Sequence, residues 1–143
     1  MTILRTTPFA VAPNPYTKRH PAREHYRPDL GLYMRSSWEA NIARVLNYEV
    51  EQGIVVRWQY EPDMFIFDRI KRGTRAYIPD FKVWSAFDPH PSYIEVKGYM
   101  DAKSRLKLKR MMQYYPQVAI LIIGANEYLD IERRMNWLPF WEG

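Results

Sequence analysis

Apolar and polar positions recur along this chain with two periods, and the changes of period mark the elements. In SSWEANIARVLNYEVEQG (36–53), Trp38, Ile42, Val45 and Leu46 return at helical spacing and share one face. Ser36 or Ser37 can cap the start, and Gly53 supplies the stop. Strand-type runs follow at IVVRWQY (54–60), MFIF (64–67) and, after a turn at Arg72-Gly73, TRAYIPDFKVW (74–84). Pro79 lies inside that last run and cannot donate to a ladder, which predicts an edge or a bulge there.

Beyond the loop DPHPS (88–92), SYIEVKG reads as a strand and DAKSRLKLKRMMQYYP (101–116) as a second helix. Asp101 sits at the N-cap position and Pro116 ends the helix. Leu108, Met111, Met112 and Tyr115 form its predicted core stripe, while Lys103, Lys107 and Arg110 align on another face. VAILIIG (118–124) is a continuous apolar run, as expected of a strand covered on both faces. The tail ERRMNWLPFWEG gathers Trp137, Phe140 and Trp141 around Pro139, and these are expected in a core or a dimer interface. The order helix, strands, helix, strand predicts an α/β fold over 36–143.

Residues 1–35 stand apart. Pro8, Pro13, Pro15, Pro21 and Pro28 prevent a long helix, and Arg5, Lys18, Arg19, Arg23 and Arg27 make the segment basic. It is read as an extended arm, either draped on the body or reaching for nucleic acid.

Composition narrows the function. At 143 residues the chain suits one domain. Its 21 Lys+Arg against 16 Asp+Glu give a net charge of +5, which favours a polyanionic partner. With no cysteine, disulfides, zinc-thiolate centres and thiol nucleophiles are excluded. No signal peptide or membrane-length apolar run is present, so a soluble protein of the cytoplasm is expected.

The chemistry concentrates in IEVKG (94–98). Glu95 and Lys97 point to one face of the strand, Ile94 and Val96 to the other. Asp80 follows Pro79 at the break in the preceding run, so neighbouring strands would bring Asp80 and Glu95 together. Two close carboxylates repel unless one is protonated or a cation lies between them. Oxygen ligands of this kind suit Mg²⁺, and a lysine beside them suits phosphodiester hydrolysis. Plainer explanations stand beside each residue. Glu39 fits a capping box with Ser36, Glu95 and Lys97 fit an exposed pair, and Asp80 fits a turn. Glu61 in QYEPD is expected as an exposed strand end or a site rim, and His20, His25 and His90 as loop residues.

These motifs resemble the PD-(D/E)XK nuclease superfamily: Pro79-Asp80, then Glu95-Val96-Lys97, with Glu39 as the acid on the preceding helix. The pattern SSWE, YEP, YIPDF, IEVKG and a basic helix looks most like phage-encoded Holliday-junction resolvases of the phage endonuclease I type, over roughly residues 35–124. The resemblance implies a restriction-endonuclease-like core: a helix, three to four mixed strands, a helix and a strand. It further implies Mg²⁺, with Mn²⁺ able to substitute, held by Asp80, Glu95 and the Val96 carbonyl. Glu39 would bind a second ion or its water, and Lys97 would be the catalytic lysine. A phage-encoded enzyme would work in the bacterial host cytoplasm.

Lys103, Arg105, Lys107 and Arg110 follow the proposed site directly, where a DNA backbone would pass, and Arg35 is a similar candidate. With no base-reading module, such an enzyme would recognise the shape of branched double-stranded DNA. Two cuts at a four-way junction call for a homodimer; no organic cofactor is implied. Rival readings are a flap, nicking or transposase-type endonuclease, a catalytically inert DNA-binding module of the same fold, and a structural protein whose arm binds a polyanion.

Overall fold

A computed structural model describes residues 11–16 and 24–143 of the chain. The basic positions Arg5, Lys18, Arg19 and Arg23, and His20, lie outside the described residues.

The fold is mixed α/β, with three helices and three sheets. Its centre is a four-stranded sheet of β4 (Val55–Tyr60), β7 (Phe81–Ser85), β8 (Ser92–Val96) and β9 (Ile120–Ile123), in that order. The first three run antiparallel, and β9 joins β8 in parallel through α2 (Ala102–Tyr114). A smaller sheet pairs β1 (Val11–Pro13), β5 (Asp63–Ile66) and β6 (Ala76–Tyr77), and β2 (His25–Arg27) with β3 (Leu32–Met34) forms a hairpin. The run 74–84 therefore splits at Pro79-Asp80 into strands of two different sheets, β6 and β7, because the proline cannot continue a ladder.

Alternation along the strands gives the central sheet two covered faces. Val55, Phe81, Val83, Ile94, Val96 and Ile123 pack against α1 (Ser37–Glu51), the β2–β3 hairpin and α3 (Ala125–Met135), whose Tyr128 is buried. On the opposite face, Tyr93 and Ile120 meet Phe65, Phe67 and Tyr77 of the small-sheet segment and Met111 and Tyr115 of α2.

Several expectations need correction. The described part of the N-terminal arm follows the draped reading and packs more closely than a tail, since Met34 is fully buried and Leu30 and Leu32 pack on the core. The boundary at residue 35 therefore falls inside packed structure. The apolar run 118–124 forms an edge strand, and Leu121 is 58% exposed on it, so the run is not covered on both faces. In α2, Met111 and Tyr115 are buried as the stripe predicts, but Met112 is 74% exposed because it falls outside the arc facing the sheet. Of the two places expected for Trp137 and Phe140, the core is ruled out, since both are exposed; the buried aromatic of the C-terminal region is Tyr128, stacked on Trp38 with centroids 4.0 Å apart.

A largely buried polar network ties residues 27–29 and Glu142 to α1. Arg44 bonds Asp29 and Glu142, each at 2.9 Å, and Arg27 also reaches Glu142. Asn41 donates to the Tyr128 hydroxyl and accepts from the Glu142 amide. Every polar group here has a partner, as burial demands. The network fixes the start of α1, and with it Glu39.

Candidate active site

The candidate site lies at one end of the central sheet, where four segments arrive with a carboxylate each. Ser36 caps α1 by accepting from the Glu39 amide, and its hydroxyl donates to Glu39 Oε2 at 3.0 Å. The other carboxylate oxygen, Oε1, accepts from the Tyr60 hydroxyl at 2.5 Å, so the capping role and a site role coexist in one side chain. Asp80 is 7% exposed and accepts from the Val96 amide at 2.7 Å, which fixes it across the β7–β8 pair. The register Phe81↔Ile94 sets Asp80 opposite Glu95, as the two runs predict.

Glu95 accepts from the Tyr77 hydroxyl at 2.8 Å. Lys97 lies one pleat further on, and its charge acts on Glu95. The five groups Tyr77, Glu95, Lys97, Ser104 and Lys107 line one small pocket of about 40 Å³.

Glu61 is the residue that sequence reasoning placed at a strand end or rim and that the structure moves into the acidic group. One carboxylate oxygen each from Glu39, Glu61 and Asp80 lies within 4.8 Å of the others. Glu61 reaches this position with φ at 47°, left-handed backbone that costs a non-glycine residue about 1 kcal/mol. Its amide donates to the Asp80 carbonyl at 2.8 Å and its own carbonyl accepts from the Asn14 side chain at 2.9 Å, and these bonds hold the turn. Glu95 stands outside the mutually close triad, drawn aside toward Tyr77 and Lys97.

Electrostatics follow from this crowding. Burial raises Asp80 well above the usual carboxylate range, and the charges of Glu95, Glu39 and Glu61 add to the rise, against the Val96 amide. Burial also raises Glu95, opposed by the Tyr77 bond and by Lys97. Glu61 is pushed up to about 7 by burial, with Arg35 resisting and Glu39 reinforcing. Tyr77 and Tyr60 are raised by burial and the adjacent carboxylates, so both remain neutral donors. Crowded, desolvated carboxylates of this kind match the hard-oxygen donor set of a divalent cation. The residues present therefore fit such an ion.

The cationic candidates have different surroundings. Arg35 pairs with Glu61 through both terminal nitrogens and with Glu24 at 3.6 Å, so it faces the acids. Arg110 donates to the Thr74 carbonyl and Arg105 to the Met100 carbonyl. Lys103 and Lys107 form no ion pair among the described residues. For Val96 it is the amide that touches Asp80. His25 and His90 are exposed and apart from the acids.

Among the described residues no helix is long and apolar enough to cross a membrane. No family model matches the chain, and neither a curated protein nor a solved structure matches it.

Proposed function

We propose that the chain is a metal-dependent, structure-selective DNA endonuclease that hydrolyses phosphodiester bonds in branched DNA, four-way junctions foremost. The observation that carries this reading is the gathering of Glu39, Glu61 and Asp80 within 4.8 Å, beside Glu95 and Lys97. A protein that only bound DNA would gain nothing from such acids, which repel phosphates.

Glu39, Glu61 and Asp80 would hold Mg²⁺ or Mn²⁺, with Glu95 at the edge of the set. The ion supplies a water of lowered pKa and offsets negative charge on the phosphate. The chain supplies position. Asp80 is pinned by the Val96 amide, Glu39 by Ser36 and Tyr60, and Glu95 by Tyr77. Lys97 would orient the attacking water and donate to the phosphate as charge builds there. Water oxygen bonds to phosphorus and gives up a proton to solvent, the bond to the leaving nucleotide oxygen breaks, and that oxygen takes up a proton from solvent. Resolving a junction needs two such cuts, so we take the active species to be a homodimer.

The test uses end-labelled four-way, flap and linear duplex DNA, with Mg²⁺ or with EDTA. Cutting of the branched substrates in Mg²⁺ alone is expected, and Asp80→Asn and Lys97→Ala should each lose at least about a hundredfold in rate while still binding the junction. Parental rates in either variant, or no cutting of any DNA by the parent, would overturn the proposal.

A further inference from the structure

Beside the acidic site runs a second, larger groove of about 670 Å³. One wall is the segment entering β6, with Thr74, Arg75 and Ala76; the other is the first two turns of α2, with Lys103, Leu106 and Lys107. Lys107 lines this groove and also the small pocket that holds Glu95 and Lys97, so the two spaces share a wall.

Hydrogen bonds from α2 and its C-cap tie the helix to the segment 66–74, of which Thr74 lines the groove. Arg110 donates to the Thr74 carbonyl, Tyr114 to the Asp68 carbonyl at 3.0 Å and Tyr115 to the Ile66 carbonyl at 2.7 Å. The groove is thus preformed, which removes an ordering cost from any ligand.

Its charge is uncompensated. Lys103 and, from the neighbouring pocket, Lys97 press on Lys107, and neither Lys103 nor Lys107 has a carboxylate within ion-pair distance among the described residues. Glu95 and Asp101 act on Lys107 from further off. Asp101 itself caps α2 by accepting from the Ser104 amide, so the positive groups open to a ligand are side chains and not the helix end. Burial and the neighbouring Lys103 lower the Lys107 ammonium, the response of a cation lacking an anion. Leu106 and Ala76 add apolar wall between the charges, which suits a chain of sugars bearing regularly spaced anions better than a compact anion.

We propose that this groove seats the sugar–phosphate backbone of the strand being cut, on one side of the scissile bond, with Arg75 and Lys103 each holding one flanking phosphate and Lys107 joining that seat to the site. The inference rests on the phosphodiesterase reading and adds a subsite to it. Arg75 and Lys103 are both exposed, so removing them should leave folding intact.

The test compares the full-length parent, Arg75→Ala/Lys103→Ala, and the charge-matched control Arg133→Ala/Arg134→Ala on α3, across the sheet. Binding to a fluorescent four-way junction is measured by anisotropy in EDTA over a salt series, and cutting in Mg²⁺. The groove variant should lose about tenfold or more in affinity, and its plot of log affinity against log salt should flatten by about 2, one for each lost phosphate contact. The control should change affinity less than about twofold.

A junction with one neutral methylphosphonate beside the cut, placed on either side in turn, should weaken parental binding on one side only. The groove variant should not feel that change. A parental salt slope in the groove variant, or equal losses in the α3 control, overturns the groove while parental cutting leaves the nuclease reading standing. A parent that cuts no DNA overturns that reading instead, and the binding arms still report on the groove.

Discussion

Neutralising Asp80 should stabilise the fold in the absence of divalent cations, even as it abolishes cutting. The reason is repulsion. Two unit charges at the 4.8 Å limit of the triad interact by about 3.5 kcal/mol at an effective dielectric of about 20. Asp80→Asn removes two such interactions, with Glu39 and Glu61, and a third with Glu95. It preserves the shape and the Oδ acceptor for the Val96 amide, and its new NH₂ can donate to a neighbouring carboxylate. Partial protonation of the parental cluster and the Arg35 charge offset much of the repulsion, so a net gain of about 1–3 kcal/mol is expected at pH 8. For a chain of this size that corresponds to a rise in Tm of roughly 3–9 °C.

The pH dependence has a definite sign. Carboxyls whose folded pKa is raised bind protons more tightly when folded, so they add stability at low pH that is lost as pH climbs from the unfolded to the folded value. Glu61 moves from near 4.5 to about 7, which alone withdraws about 3 kcal/mol by pH 8. Thermal and urea unfolding in EDTA from pH 4.5 to pH 8 should show the parent weakening across this window and Asp80→Asn weakening less. Adding Mg²⁺ at pH 8 should raise the parental Tm and leave the variant nearly unmoved. If Asp80→Asn melts at or below the parent at pH 8 in EDTA, the acids are not in mutual repulsion and the argument for a cation among them fails.

Three further outcomes test the surroundings of the site. Tyr77→Phe removes the bond that lowers Glu95, so the acidic limb of the pH–rate profile should move to higher pH and the cutting rate should fall about tenfold, read in single-turnover assays. Arg44→Met leaves Asp29 without its guanidinium partner and breaks the link to Glu142, and should cost about 3 kcal/mol in urea unfolding. Gly98→Ala would set a Cβ 3.3 Å from the Trp38 ring, which cannot retreat because Tyr128 is stacked against it. A loss of about 1–2 kcal/mol is expected by the same measurement.

Sequence made α1, the break at Pro79 and the Asp80–Glu95 pairing legible, because each depends on local periodicity or on what proline cannot do. The helix α3 was not legible. It starts at Gly124 with no side-chain cap of its own and carries its buried face on little more than Tyr128 and Ile131. The run 118–124 reads alike whether its strand is central or at an edge; only the sheet order exposes Leu121. Glu61, expected no nearer than a strand end or the rim, was the residue least well placed at the site. Its direction is set by a left-handed φ that distant bonds from Asn14 and to Asp80 impose, and the one local hint is Pro62, whose ring restricts the residue before it.

Charge bookkeeping around Glu61 bears on which ion the proposed enzyme would take. Glu39, Glu61 and Asp80 carry three formal negative charges when ionised, Glu24 beside Arg35 adds a fourth, and Arg35, bonded to Glu61, returns one positive charge. Lys97 and Glu95 balance each other one pleat away. The remainder is three negative charges in a space largely closed to water, where a monovalent ion would leave two uncompensated. A divalent ion leaves one, which a proton on the Glu61 carboxyl, raised to about 7, can remove, so on this reading Arg35 serves the acids by lowering the charge that an ion must offset. Arg35→Met should then lower the Tm at pH 8 in EDTA and let Mg²⁺ raise it by more than it raises the parental Tm, with junction binding unchanged.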